Sequence, residues 1–333
     1  MEAQLPMRLS IFSVADHYPD ELPRTLDQLY GELLDLAVAA DALGFHGFWV
    51  AEHHFHPYGA VPRPALLLTA VAQRTRRIRL GSAVCVLPFD HPVRTAEDYA
   101  MLDLLSGGRL DLGVGSGYLA HELAGFAIPS TEKRERFDEG LDLLQALWRG
   151  ERVRHRGTHH SLVDVRLNVL PLQKPQPPIW IAALREETLA HVAAKGMPAL
   201  VMPYATFDRF DQLHAAAQQF HARWPLRSEA VAAPRLACGL HAHCAETLDE
   251  ARMHASGPLA RYVRTRLYAR QRPLDELMAA DLVAIGNGEQ LRRLVARCAS
   301  AGLTDLLLLV DFGGMRQRDV LRSLEQIAHH LLP

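Results

Sequence analysis

Two apolar rhythms alternate along the chain from one end to the other. Short stretches that are wholly apolar, or apolar at every second residue, read as strands over Arg8 to Ala15, Phe45 to Ala51, Ile78 to Val86 and Leu110 to Val114. Four more follow over Ile179 to Leu184, Ala199 to Met202, Leu236 to His243 and Leu306 to Asp311. Between them apolar residues recur at helical spacing, from about Thr25 to Leu43 and closed by Gly44, from near Pro64, and over Thr95 to Leu105 and Arg134 to Trp148. Further helices are predicted over Glu186 to Lys195, Phe207 to Arg223, Thr247 to about Arg270 and Val320 to Leu331.

Eight strands, nearly all followed by helices, imply right-handed crossovers and a parallel sheet. That count fits a closed α/β barrel, the (β/α)8 TIM barrel, better than an open doubly wound sheet. The stretches Glu151 to Pro178 and Ala255 to Asn287 are too long for simple connections and read as insertions after strands four and seven. Gly286-Asn287-Gly288 reads as a turn capping a helix from Glu289. No Pro-, Gly- or Ser-rich linker divides the chain, so residues 1–333 are expected to form one domain.

Composition narrows the function classes. The 36 Lys and Arg against 38 Asp and Glu give a net charge of −2, and the arginines are scattered, which argues against a nucleic-acid partner. Cys85, Cys238, Cys244 and Cys298 form no C-x-x-C pair and suit a reducing cytoplasm. No apolar stretch approaches the ~20 residues that span a bilayer, and the first residues carry no signal-peptide pattern, so a soluble cytoplasmic protein without membrane contact is expected.

In a barrel of this kind the chemistry lies where the strands end. The second strand runs into Glu52-His53-His54-Phe55-His56, a carboxylate and three imidazoles suited to acid/base work or to metal ligation. Hydrogen-bonded loop histidines are the plainer alternative. His54-x-His56, His241-x-His243 and Asp311 keep a metal-dependent hydrolase in view, but the fifth and sixth strands offer no ligand to complete such a set. After the fourth strand, Gly113-Val114-Gly115-Ser116-Gly117-Tyr118 lets backbone N–H groups approach a ligand, although Tyr118 breaks a dinucleotide fingerprint. Ala183-Leu184-Arg185-Glu186-Glu187-Thr188 enters a helix with a guanidinium and a hydroxyl, able to hold a phosphate or simply to cap. Gly81-Ser82-Ala83-Val84 ends the third strand with small residues that a flat ring can stack on, or that only relieve crowding.

Taken in order, these segments resemble the bacterial-luciferase-like, flavin-dependent monooxygenase family. The resemblance runs through Phe48-Trp49-Val50-Ala51-Glu52-His53-His54-Phe55, Gly81 to Arg94 with its H-P-V-R, and Leu102-Asp103-x-x-Ser106-x-Gly108-Arg109. It continues through Gly113-x-Gly115-x-Gly117 and ends on Leu306 to Gly314. It implies a TIM barrel that binds reduced FMN, reacts it with dioxygen to a flavin hydroperoxide, and oxygenates a small organic substrate. By the same resemblance His53, with Glu52, matches the catalytic position, where a donor would stabilise the peroxide. Ala83 and Val84 match the pair behind the flavin ring, often across a non-prolyl cis bond. Gly115, Ser116, Gly117, Tyr118, Ala182, Ala183, Leu184, Arg185 and Thr188 match the flavin-phosphate positions, with Arg134 or Arg136 adding charge.

Ser116 and Leu184-Arg185 depart from the pattern of better-known members, where an arginine and an acid followed by serine stand. Oxygenation needs a dry cavity, for which Phe12, Val14, Phe55, Phe89, Tyr118 and Phe312 are the apolar candidates. Nothing resembles a nicotinamide site, so the resemblance implies a separate NAD(P)H:flavin reductase. The alternative within the same superfamily is hydride transfer with a deazaflavin, and a homodimer through barrel helices is expected. The alanine-rich Asp35 to Leu43 is a candidate surface for it, or packs inward.

Overall fold

The computed structural model describes residues 7–57, 59–225, 233–266 and 270–333. Its strands are β1 (Arg8–Ser13), β2 (Gly47–Val50), β3 (Arg79–Val86), β4 (Leu110–Gly115), β5 (Val153–Arg156), β6 (Ser161–Val165), β7 (Ile179–Ala182), β8 (Ala199–Val201), β9 (Leu236–Cys244), β10 (Ala284–Gly286) and β11 (Asp305–Leu309). Eight of them close on themselves in the order β1-β2-β3-β4-β7-β8-β9-β11, every pairing parallel, so the chain forms a (β/α)8 TIM barrel. All strands point the same way, which gathers their C-terminal ends at one mouth.

Local chemistry sets the helix limits. Thr25 caps the helix Leu26–Leu43 by accepting from the Gln28 N–H while Gln28 returns a bond to the Thr25 N–H at 3.0 Å, and Gly44 ends it at φ 92°. Asn287 does the same with Gln290 for the helix Gly288–Ser300. Pro64 and Pro92 open two helices where a missing N–H is harmless. In the first helix Ala37 and Ala40 are fully buried, so the alanine-rich stretch packs inward onto the barrel. Exposed apolar side chains lie instead on the helices Pro64–Arg74 and Pro92–Ser106, at Leu66, Met101, Leu104 and Leu105.

Both insertions are present. The first carries the hairpin β5–β6, whose Val-Arg-His-Arg and Ser-Leu-Val-Asp-Val runs are too charged to read as strands on apolar pattern. The second carries the helix Leu248–Arg264, the helix Leu274–Ala279 and β10, which pairs with the far end of β9 after β9 has left β11.

The opposite end of the barrel is stoppered. Asp305 pairs with Arg8 and Arg235 at 2.8 Å each, and Asp111 pairs with Arg79. Arg235 lies 4.3 Å above the Trp180 ring, which meets Trp49 edge-on at 5.7 Å. Room for the Trp49 indole, and for the close approach of β3 to β4, comes from missing side chains. A Cβ on Gly81 would sit 2.0 Å from the Trp49 ring, and one on Gly113 would sit 2.0 Å from the Ser82 carbonyl oxygen. That second clash is with backbone and has no soft escape. Gly113→Ala is therefore expected to destabilise the protein by about 2 kcal/mol or more, read by urea unfolding; an unchanged midpoint would show that β3 and β4 can part.

Candidate active site

The loop after β2 turns His53 into the barrel mouth, and a buried carboxylate holds it there. His53 Nδ1 lies 3.0 Å from Glu122 Oε1, and the same oxygen accepts the His54 N–H at 2.9 Å. Glu122 stands on the short helix Ala120–Gly125 and is 1% exposed. Gly59 packs flat against the other side, where a Cβ would come 2.4 Å from His53 Cβ. Burial holds the imidazole below its ordinary titration range, although Glu122 pulls the other way. The ring is thus neutral near pH 7, and beside the Glu122 carboxylate its proton lies on Nδ1.

Glu52 has a different task. Its carboxylate reaches His54 Nε2 at 3.2 Å and accepts the Val86 N–H at 3.1 Å, and burial raises its pKa. It faces a separate cavity of about 130 Å³ shared with His54, Cys85, Tyr99 and Phe126. The expected catalytic pair therefore divides: His53 faces the mouth, while Glu52 braces the β2 loop against the end of β3.

The expected flavin residues converge. The Ala83–Val84 peptide is cis, and it sits where the β3–β4 register breaks between Ser82 and Cys85. Gly115 lies under Val84, where a Cβ would be 2.7 Å from Val84 Cγ2 and 3.9 Å from Ala182 Cβ. Ser116, Gly117 and Tyr118 follow half-buried, Gly117 at φ 76°. Tyr118 meets His53 edge-on at 6.3 Å. Ala183 is buried, Leu184 half-buried, and Arg185 precedes the helix Glu186–Ala194, which carries Thr188 in its first turns.

The cations rearrange. Arg134 pairs with Asp138 at 3.0 Å and Arg136 with Glu132 at 2.8 Å, both along their own helix. Lys133 is the one turned toward the glycine loop, donating to the Gly117 carbonyl at 3.1 Å. Burial, and after it the Arg185 charge, hold its pKa below the usual lysine range. Two like charges beside a helix N-terminus and a glycine turn suit a phosphate dianion.

The other half of the mouth is aromatic. Phe12, Val14 and Phe312 are buried there. Phe312 lies 5.1 Å from His241, which also meets Tyr262 at 4.5 Å and Tyr204 at 4.9 Å. Phe55 and Phe89 gather with Phe126 around His54, Phe89 stacked on Phe126 at 4.4 Å and with its ring 3.5 Å from where a Cβ on Gly117 would lie, and Phe55 67% exposed. The histidine pairs of the hydrolase alternative are separated. His54 is bonded to Glu52, His243 faces His254 at 3.3 Å, and the Ser13 hydroxyl donates to Asp311 at 2.6 Å. Among the described residues no group of three or more His, Cys, Asp and Glu side chains is placed to hold a metal.

A family model described as luciferase-like monooxygenase matches residues 7–305. The chain belongs to that family. It is 43% identical over 196 residues to an uncharacterized protein, y4wF, of Sinorhizobium fredii, covering 59% of this chain and 57% of that one. It is 34% identical over 179 residues to the oxygenase component of a flavin-dependent trigonelline monooxygenase from Acinetobacter baylyi, covering 53% of this chain and 49% of the other. The chain spans about half the length of the curated relatives it matches. A crystal structure of the monooxygenase RslO1 from Streptomyces bottropensis superposes with a TM-score of 0.89 at 30% identity, covering 98% of this chain and 99% of that one. The family's relatives also include a coenzyme F420-dependent glucose-6-phosphate dehydrogenase of Amycolatopsis mediterranei, 35% identical over 46% of this chain and 47% of that one.

Two measurements check this electrostatic account. Glu122→Gln keeps an acceptor but removes a charge that favours the imidazolium, so His53 is expected to titrate lower than in the wild type by NMR of its ring; an unmoved or higher value would mean that Glu122 is not its counter-charge. Burial holds His241 at about 3, against 6.5 when unfolded. Only the unfolded chain takes that proton, and stability drains away as pH falls below 6.5, by up to about 1.4 kcal/mol per pH unit. His241→Phe should therefore lose less stability than the wild type between pH 7 and pH 4.5 in urea unfolding, and equal losses would contradict the assignment.

Proposed function

We propose that the protein is the oxygenase component of an FMN-dependent, two-component monooxygenase acting on a small organic substrate, with a separate NAD(P)H:flavin reductase supplying reduced FMN. The observation that carries this reading is the shelf of Ala83, Val84, Gly115 and Ala182, followed by a glycine turn that Lys133 reaches with Arg185 near it and whose Tyr118 meets His53. Reduced FMN bound there supplies the activation of dioxygen and the transfer of one oxygen atom. The chain's own residues hold and time the proton. His53, neutral and held by Glu122, is the group assigned to proton handling in this reading. The buried aromatic half of the mouth excludes water. Four unpaired buried thiols support a reducing, cytoplasmic setting, and no described helix is long and apolar enough to cross a membrane.

The competing reading is hydride transfer with coenzyme F420, favoured by the F420-dependent relatives. Anaerobic titration with reduced FMN and with reduced F420, followed by mixing with air, separates them. Tight binding of reduced FMN and a transient absorbance after mixing are expected; tight F420 binding with no response to oxygen would overturn the proposal. Lys133→Ala and Arg185→Ala should each weaken reduced FMN by about tenfold, equivalent to about 1.4 kcal/mol, while leaving reduced riboflavin, which lacks the phosphate, unaffected. Equal effects on both flavins would move the phosphate elsewhere.

The reading includes a homodimer through the exposed Leu66 and Met101 faces of the helices Pro64–Arg74 and Pro92–Ser106. Leu66→Glu with Met101→Glu should shift the elution volume of the wild type to that of a monomer. A wild type already eluting as a monomer would remove the dimer.

A further inference from the structure

A second cluster of chemistry-bearing side chains serves neither the barrel closure nor the flavin shelf. His243 lies near the far end of β9, where that strand has left β11 and pairs with β10. Its Nε2 stands 3.3 Å from Nδ1 of His254, which is carried on the helix Leu248–Arg264 of the second insertion. The rings meet edge-on at 78°, and both border a cavity of about 100 Å³. A hydrogen bond between the two is the plain account, but it leaves the pair one partner short. His243 is 1% exposed, and its Nδ1 has no hydrogen-bond partner among the described residues. Whichever tautomer the ring takes, one nitrogen is buried unpaired, a loss that a single contact at the long end of the hydrogen-bond range offsets poorly.

The same separation has a second meaning. Two imidazole nitrogens bound at about 2.0–2.1 Å to one tetrahedral cation are held about 3.3 Å apart, so these rings already stand at ligand spacing. Their surroundings favour positive charge, since three carboxylates, Glu246, Glu250 and Asp319, line the cavity against one guanidinium, Arg322. Glu250 precedes His254 by one helical turn and shares its face. Burial, and after it the His254 ring, hold His243 at about 4, so near pH 7 it is neutral and keeps a lone pair to donate. The frame is fixed as well. The Cys244 N–H donates to the Ser323 hydroxyl at 2.8 Å, and Thr247 caps the insertion helix by accepting the Glu250 N–H at 3.2 Å. Both rings therefore ride on regular elements and need little ordering to bind.

We propose that His243 and His254 form a site for a divalent d-block cation, zinc by their spacing, which fastens the second insertion to the barrel. The two imidazoles are its protein ligands, water completes the shell, and the cavity carboxylates supply counter-charge; among the described residues no third side chain is placed to coordinate. Imidazole donors select such a cation over magnesium or calcium, which take oxygen ligands. Fastening this helix reaches the mouth, because its later turns wall it. Tyr262 lies 6.4 Å from Phe312, and the Pro258 carbonyl closes on Gly313, where a Cβ would come within 1.8 Å of its oxygen. The site is independent of the flavin reading and stands if that reading fails.

Zn²⁺ titrated by calorimetry at pH 7 into the full, untagged chain, stripped beforehand with a chelator, tests it. One equivalent is expected to bind saturably, and a hundredfold excess of Mg²⁺ or Ca²⁺ should not displace it. His254→Gln, half-buried on its helix and checked for fold by circular dichroism, should weaken zinc tenfold or more. Arg322→Ala removes the opposing charge from an exposed position and should tighten zinc severalfold. His329→Gln with His330→Gln removes another close pair of imidazoles, 4.8 Å between centroids, and should leave the affinity unchanged. Bound Zn²⁺ should also slow amide exchange along Leu248–Arg264 in the wild type and not in His254→Gln. No saturable zinc binding, equal affinity in His254→Gln and the wild type, or loss of zinc with the His329 and His330 pair would overturn the site. Zinc that depends on His254 yet leaves exchange in that helix unchanged would overturn the fastening role.

Discussion

One carboxylate ties the mouth together. Glu122, carried in on a six-residue helix after β4, accepts from the backbone of the β2 loop and from the side chain that the loop presents. Two segments that the barrel only brings near one another thereby become a single rigid edge. The orientation of His53, its tautomer and its neutrality all follow from that contact together with burial. On the far side of the loop Glu52 works in the same sense, holding His54 and the end of β3. The acidic residue adjacent to the histidine in sequence is a brace, and the distant one sets its chemistry.

The mouth then divides by chemistry. On the β3, β4 and β7 side, small residues and glycines bring backbone close and two cations collect at one end. On the β8, β9 and β11 side, rings and buried polar groups dominate. The first half has the shape and charge for a flat group with an anionic tail, and the second is walled by rings. His53 meets Tyr118 of the first half and feels the Arg266 charge from the second.

Much of this architecture was legible in the residue pattern because parallel strands buried on both faces are nearly continuous apolar runs. All eight barrel strands were found that way, whereas the charged hairpin β5–β6 and the three-residue β10 were not. At the site, E-H-H, the small Ala83-Val84 pair and the glycine turn stood out by composition. Glu122 did not, since its partner lies 69 residues away and nothing local marks it. Lys133, Arg134 and Arg136 are neighbours on one helix, and only its rotation against the glycine loop decides which of them turns inward. Arg261, Arg264, Arg266, Arg270 and Arg272 are alike in sequence, and only the fold decides that Arg266 and Arg272 are the buried ones.

The plug of arginine, aspartate and indole at the barrel's other end has a kinetic corollary. A vessel corked on one side has a single doorway, so whatever lodges deepest must enter first and depart last. Molecules sharing this mouth would queue, and the traffic through it would be ordered by depth alone.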